Sequence, residues 1–247
     1  MFKKTLLAAV VFGIAATAVQ ANEVSGYVTG SVGYAKADKP KVAKNFQSTW
    51  NEVALANDFT PSSSTDRSDT GYKIAVGLKV NPYLALEAQY IDLGESSYKG
   101  GIGVSEGPVS EYYSDKIKAN TNGLGVNLIG TYPIESFTLF AKAGLHYLKT
   151  KNDYKFSVEA FDNSALVGSM GASNSKTVRQ WTPSFGVGAS YALTKELAVV
   201  AEYERYQGVS DGKMEVFNSR RGPMADVVKQ NLKHDIDFAS LGLRYNF

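Results

Sequence analysis

The 247-residue chain has no cysteine, which excludes a disulfide framework and thiolate chemistry. It has only two histidines, His146 and His234. After residue 22 no run of 18 apolar residues occurs, so no helical membrane anchor is expected, and helical spacing of apolar residues is hard to find. An excess of one charge is missing too. The chain carries 26 Lys and Arg against 24 Asp and Glu, and Lys3 and Lys4 account for the difference. Those two precede an apolar run from Leu6 to Ala18 and the small-residue site Val19-Gln20-Ala21, which together read as a secretory signal peptide over residues 1–21. With that segment removed the balance is zero, which speaks against a nucleic-acid partner. What remains, residues 22–247, reads as one all-β domain, rich in the chain's 15 Tyr, 12 Phe and 23 Gly.

Apolar and polar residues alternate with period two along most of the mature chain. In Gly71–Val80, Tyr72, Ile74, Val76, Leu78 and Val80 share one face, and Lys73, Ala75, Gly77 and Lys79 the other. After Asn81-Pro82 the alternation resumes at Tyr83–Tyr90, which predicts a hairpin. Gly123–Tyr132, Phe137–Tyr147, Trp181–Ala192 and the run after Thr194-Lys195 repeat the pattern, Val24–Tyr34 opens it, and a run from about Leu232 to Phe247 closes it. That predicts eight strands.

The connections alternate in length. Those near Asn81, Ile134 and Thr194 are tight. Those over 35–69, 94–119, 150–176 and 207–233 are expected as long loops rich in Ser, Asn, Asp, Lys and Gly. In an up-and-down meander, alternate connections emerge at opposite ends, so one end is trimmed and the other elaborated, as in transmembrane barrels. Eight strands leave an interior that side chains just fill, which suits the Gly, Ser, Lys and Glu face, while the apolar face suits lipid. Phe137–Tyr147 spans about 33 Å, or roughly 25 Å of height once tilted, the size of the apolar band of such barrels. Tyr132, Phe137, Tyr191 and Tyr245 fall near the short-turn end, and Tyr72, Tyr90, Tyr147, Trp181 and Tyr203 near the long-loop end, as two aromatic girdles would.

The stretches VNPYLALEAQYIDLG, TYPIESFTLFAKAG, FGVGASYALTKELAVVAEYERY and the terminal SLGLRYNF resemble the OmpA-like outer-membrane barrel domain. The resemblance covers most of the mature chain and lapses in the long loops. It implies an eight-stranded antiparallel up-and-down transmembrane β-barrel in the outer membrane of a Gram-negative bacterium, with short periplasmic turns and four long extracellular loops. It implies that Tyr245 and Phe247 form a terminal signal read by the barrel-assembly machinery. It also implies an interior charge network, of which Glu87, Lys142 and Glu202 are retained, whereas Ile129, Ser190 and Val200 stand where other charges would pair. Many relatives continue into a peptidoglycan-binding domain, which is not expected here.

Counted from the short-turn ends, Glu87 is five residues above Pro82, Lys142 five above Phe137 and Glu202 six above Glu196. One layer across the lumen is therefore expected, with Lys142 bridging Glu87 or Glu202. The histidines read as solvated rim residues rather than catalytic groups, because no nucleophile motif accompanies either. Gly123-x-Gly125 and Gly186-x-Gly188 read as interior glycines that make room for larger neighbours rather than as phosphate loops. The basic stretch KADKPKVAK (Lys36–Lys44) and Arg220-Arg221 are expected in loops, in reach of lipopolysaccharide phosphates or host surfaces. No metal, cofactor or catalytic residue is expected. The functional expectation is a structural and surface-interaction barrel that contacts outer-membrane lipids, lipopolysaccharide, and host or matrix ligands. The alternative is a narrow channel for water, ions or small solutes.

Overall fold

The computed structural model describes residues 25–217 and 227–247. The signal peptide expected over 1–21 and the pair Arg220-Arg221 lie outside the described residues. Twelve elements follow in order: β1 (Ser25–Ala37), α1 (Lys41–Asn57), β2 (Thr60–Asp66), β3 (Ser68–Asn81), β4 (Leu84–Glu106), β5 (Val109–Ile134), β6 (Phe137–Asp162), β7 (Ala165–Ala192), β8 (Leu197–Val209), β9 (Lys213–Phe217), β10 (Val227–Asn231) and β11 (His234–Asn246). Eight of them close a ring. β3 pairs with β4, β4 with β5, β5 with β6, β6 with β7 and β7 with β8. β8 then pairs with β11, β11 with β1 and β1 with β3, all antiparallel. From the short turns up to Ser184 and Tyr206 this ring leaves no edge unpaired, as a lipid environment requires, and above them β7 keeps only its β6 partner.

The wall is uneven. β1, β8 and β11 have 13 residues and β3 has 14, whereas β4 to β7 have 23, 26, 26 and 28. The connections expected as loops over 94–119 and 150–176 are not loops. Their ladders run on, through Lys99↔Lys116 and Asp153↔Ser175, to tight turns at Gly107-Pro108 and Asn163-Ser164. The connection over 35–69 holds α1 and β2, and β9 with β10 forms a hairpin within 207–233.

The polarity of the wall reverses with height. Along β6 the outward residues of the lower part are Leu139, Leu145 and Tyr147, and the inward ones include Lys142 and His146. Above Tyr147 the outward residues become Lys149, Lys151 and Lys155, and the inward ones Leu148, Tyr154 and Phe156. Within the bilayer the apolar face meets lipid. Above it, the apolar face turns to the axis and builds a water-excluding core.

α1 fills that upper core. Its Val42, Phe46 and Trp50 recur every four residues on one face, and this face packs on Tyr98, Ile117, Tyr154 and Phe156 of the tall strands. Pro40 precedes the helix and Asp58, at φ 56°, ends it in the left-handed conformation. Trp50 Nε1 donates to Asp115 Oδ2 at 2.7 Å, and the Tyr154 hydroxyl donates to the other oxygen, so the buried carboxylate is satisfied. Two smaller apolar layers lie below. One gathers Ile91, Leu93, Leu148, Tyr206 and Phe238, and the other Tyr27, Ala85, Ile129, Phe140 and Val200.

Candidate functional site

Between the two lower apolar layers the lumen is crossed by ionised side chains. Glu87 stands on β4, Lys142 on β6, Glu202 and Glu204 on β8, and Lys73 on β3, each on the inward face of its strand. Lys142 Nζ lies 2.9 Å from Glu87 Oε1, 2.6 Å from Glu202 Oε1 and 3.7 Å from Glu204 Oε1. Lys73 Nζ lies 2.7 Å from Glu202 Oε1 and 2.8 Å from Glu204 Oε2. None of the five side chains is more than 3% exposed. Lys142 touches both glutamates that the sequence offered as alternatives.

Neutral donors complete the carboxylates. The Tyr27 hydroxyl donates to Glu87 Oε2 at 3.0 Å, and Asn127 Nδ2 to Glu87 Oε1 at 3.2 Å. The Tyr206 hydroxyl donates to Glu204 Oε2 at 3.2 Å. Asn127 Nδ2 also donates to Gln89 Oε1 at 3.0 Å, which ties the layer to the one above. Such a network is worth keeping only when nearly every lone pair is matched, because a buried ion without a partner costs several kcal/mol.

Lys73 and Glu204 were not singled out from the sequence. The signal was there: each belongs to the polar face of an alternating strand, and Glu204 follows Glu202 by the two residues that return a strand to the same face. The positions of Ile129 and Val200 also find a reason. They lie in the apolar layer below the charges, where no partner is needed.

His146 is not a rim residue. It is fully buried in the lumen, with Nε2 2.8 Å from Gln89 Nε2 and its ring edge-on to Tyr206 at 5.1 Å. The alternation had assigned it to the polar face; the extra wall above it is what buries it. His234 is buried as well, and its Nδ1 donates to the Leu232 carbonyl at 2.8 Å. The stretch Lys36–Lys44 is not a loop throughout, since Lys41 and Lys44 belong to the first turn of α1. Glycines provide the space the large interior side chains occupy. A Cβ on Gly125 would fall 1.9 Å from the His146 ring, and one on Gly77 2.0 Å from the Tyr27 ring.

The outer surface carries the aromatic residues. Tyr72, Tyr132, Phe137, Tyr147, Trp181, Tyr191 and Tyr203 are exposed, and Tyr90 is half-buried against Tyr72. Tyr245 is exposed on β11, and the Phe247 backbone closes the seam with Gly26 in both directions, at 3.0 and 2.9 Å. Among the described residues no helix is long and apolar enough to cross a membrane, and no cluster of His, Asp and Glu has the shape of a metal site.

A closed eight-stranded ring with an apolar exterior at bilayer height is the architecture of a membrane-spanning barrel. The profile of the outer membrane protein beta-barrel domain matches residues 5–247. The chain belongs to that family. This places it in the outer membrane of a Gram-negative bacterium. An uncharacterized protein of Coxiella burnetii (strain RSA 493 / Nine Mile phase I) is 26% identical over 267 residues and covers 100% of both chains. Among solved structures, Acinetobacter baumannii CarO is 15% identical with a TM-score of 0.43, over 76% of this chain and 96% of that one. Neisserial surface protein A is 16% identical with a TM-score of 0.40, over 90% and 97%.

Proposed function

We propose that this barrel is a closed structural and surface-interaction protein of the outer membrane, without catalytic activity, whose tall extracellular wall supplies the contacts. The observation that carries the reading is the stack inside it. A charge layer centred on Lys142 is sandwiched between two apolar layers, and α1 fills the lumen above them. Crossing water or ions would have to displace packed side chains at each level. The partners that fit are outer-membrane lipids and lipopolysaccharide along the wall and host or matrix ligands at its upper end, with the barrel-assembly machinery during biogenesis. Planar-bilayer recording of the purified protein tests the closed state. Baseline conductance supports it, and stepwise openings of the wild-type protein overturn it.

One observation favours a second reading, a narrow channel that opens on rearrangement. At the short-turn end a cavity of about 300 Å³ is lined by Lys79, Thr131, Ser190, Arg244 and Asn246 and reaches the lowest apolar layer. In that case the Lys142 layer is the gate, and openings should become frequent once Lys142 is neutralised.

A further inference from the structure

The outer face of the tall wall carries cations opposite cations. Lys99 on β4 is the direct partner of Lys116 on β5, and Lys116 that of Lys155 on β6. Lower down, Lys149 on β6 is the direct partner of Arg179 on β7. Like charges directly opposed across a ladder are destabilising, and these three pairs share one face. The rungs between them are different. Lys118 pairs with Glu95 at 2.6 Å and Lys151 with Asp153 at 2.8 Å. Among the described residues no carboxylate lies within ion-pair distance of Lys99, Lys116, Lys149, Lys155 or Arg179. The wall thus presents two tiers of unmatched positive charge with a neutralised band between them.

Height decides what the tiers face. Lys149 and Arg179 lie two residues above the outward aromatics Tyr147 and Trp181, whose rings are 5.4 Å apart. That is about 5 Å above the apolar band, at the level of lipid headgroups. Lys155 is eight residues above Tyr147, or roughly 20 Å for a strand tilted by about 40°. A phospholipid headgroup layer is only about 5–8 Å deep, so it reaches the lower tier and not the upper one. Beside the upper tier a concavity of about 390 Å³ opens between Lys116, Lys118, Lys155 and the Ser173–Ser175 edge of β7, and the one carboxylate on its lining, Asp153, is already paired with Lys151.

We propose that this face is a docking surface for a tall anionic glycolipid of the outer leaflet, a lipopolysaccharide with phosphates on both its lipid moiety and its inner saccharide. The lower tier holds the phosphates next to the acyl chains, and the upper tier holds those of the saccharide. The proposal rests on the surface-contact reading above and assigns it a site. It is independent of whether the barrel conducts.

The test uses the full mature chain refolded in detergent, with folding of each variant checked by its heat-modifiable gel mobility. Binding is titrated with lipid A, with lipopolysaccharide carrying inner-saccharide phosphates, with the same lipopolysaccharide after removal of those phosphates, and with heparin as a soluble polyanion. The triple variant K99Q/K116Q/K155Q should bind the phosphorylated lipopolysaccharide about 100-fold more weakly, at roughly fivefold per surface cation, and lipid A unchanged. The double variant K149Q/R179Q should lose affinity for both. Should saccharide phosphates make no difference to the wild type, or the triple variant bind as well as the wild type, the upper tier is no glycolipid site and the proposal fails. It fails equally if the two tiers govern heparin affinity alone. A conducting protein that shows the expected pattern would refute the closed state and leave the docking surface standing.

Discussion

Lys73 Nζ and Glu204 Oε2 lie 2.8 Å apart, although β3 and β8 share no ladder and are separated around the wall by β1 and β11. The pair spans the lumen. Lys142 reaches the same glutamates from β6, so three widely spaced strands are tied through one cluster. Ladder hydrogen bonds hold neighbours together, and this cluster holds opposite walls together.

The coupling follows directly. Lys142→Ala leaves Glu87 and Glu202 with one fewer counter-charge in a site closed to water. Breaking a buried pair costs about 3–5 kcal/mol, and water entering the lumen would bring that towards 1 kcal/mol. A double-mutant cycle between Lys142 and Glu202, read from urea unfolding in detergent, should give a coupling well above the 0.3–0.5 kcal/mol that distant sites show. The Lys73–Glu204 cycle should behave alike. Additive effects in both would make the cluster a set of independent lumen charges.

Trp50 should matter for the upper half of the molecule and not for the lower. Its ring lies in the core between α1 and the tall strands, and its indole donates to the buried Asp115. Trp50→Ala removes both, at a cost of about 3–5 kcal/mol for the apolar part. The ring of eight strands does not depend on α1. Hydrogen exchange should therefore speed up in residues 98–118 and 154–178 while the segments at bilayer height stay protected. Uniform loss of protection would mean that wall and helix fold as one unit.

The bilayer-height strands were legible because one rule governs them: period-two alternation with the apolar face outward. The rule also put Glu87, Lys142 and Glu202 on one face, and the distance from the short turns put them at one height. What hid the upper wall was the change of solvent. At Tyr147 and Leu148 the apolar residues switch from odd to even positions of β6, and a pattern that changes phase reads as the end of a strand although the backbone continues. The same switch hid the burial of His146. α1 escaped for another reason. Its buried face mixes Val42, Ala43, Phe46, Trp50 and Ala54 with the polar Gln47 and Thr49, and the lysines around it read as loop charge.

Mild acid should loosen the extracellular end near β11. His234 lies five residues above Ala239, the partner of the upper-girdle Tyr203, so it stands beyond the bilayer. Burial lowers its pKa below the usual histidine value, against the opposing pull of the Leu232 carbonyl and of Asp235 and Asp38. The folded state therefore binds its proton less readily than the unfolded one. Stability is complete above the unfolded value of about 6.5 and declines as pH falls below it, until the folded group also titrates. Proteolysis of the β9–β10 hairpin should accelerate between pH 7.5 and pH 5, and His234→Gln should flatten that dependence. An unchanged profile in the variant would assign the effect to another group.

Phe247 should act at the seam of the barrel as well as in recognition. Its N–H donates to the Gly26 carbonyl and its carbonyl accepts from the Gly26 N–H, which completes the β1–β11 ladder at the short-turn end. The ring covers Gly26 on the lipid side, where a Cβ would fall 2.4 Å from it. Deleting Phe247 opens two backbone groups of β1 at the membrane boundary, where unpaired groups are costly. Gly26→Val keeps Phe247 but pushes its ring away. If the seam is what matters, both changes should slow folding into pure lipid vesicles, with no assembly machinery present, and lower the urea midpoint. If recognition by that machinery is what matters, the deletion should fold normally in vesicles yet accumulate in the periplasm of cells, and Gly26→Val should assemble well. Because the two backbone bonds and the ring contact act together, the expected outcome is a defect of the deletion in both settings, larger in cells, and a partial defect of Gly26→Val in vesicles. Normal vesicle folding and normal outer-membrane levels for both variants would remove Phe247 from either role.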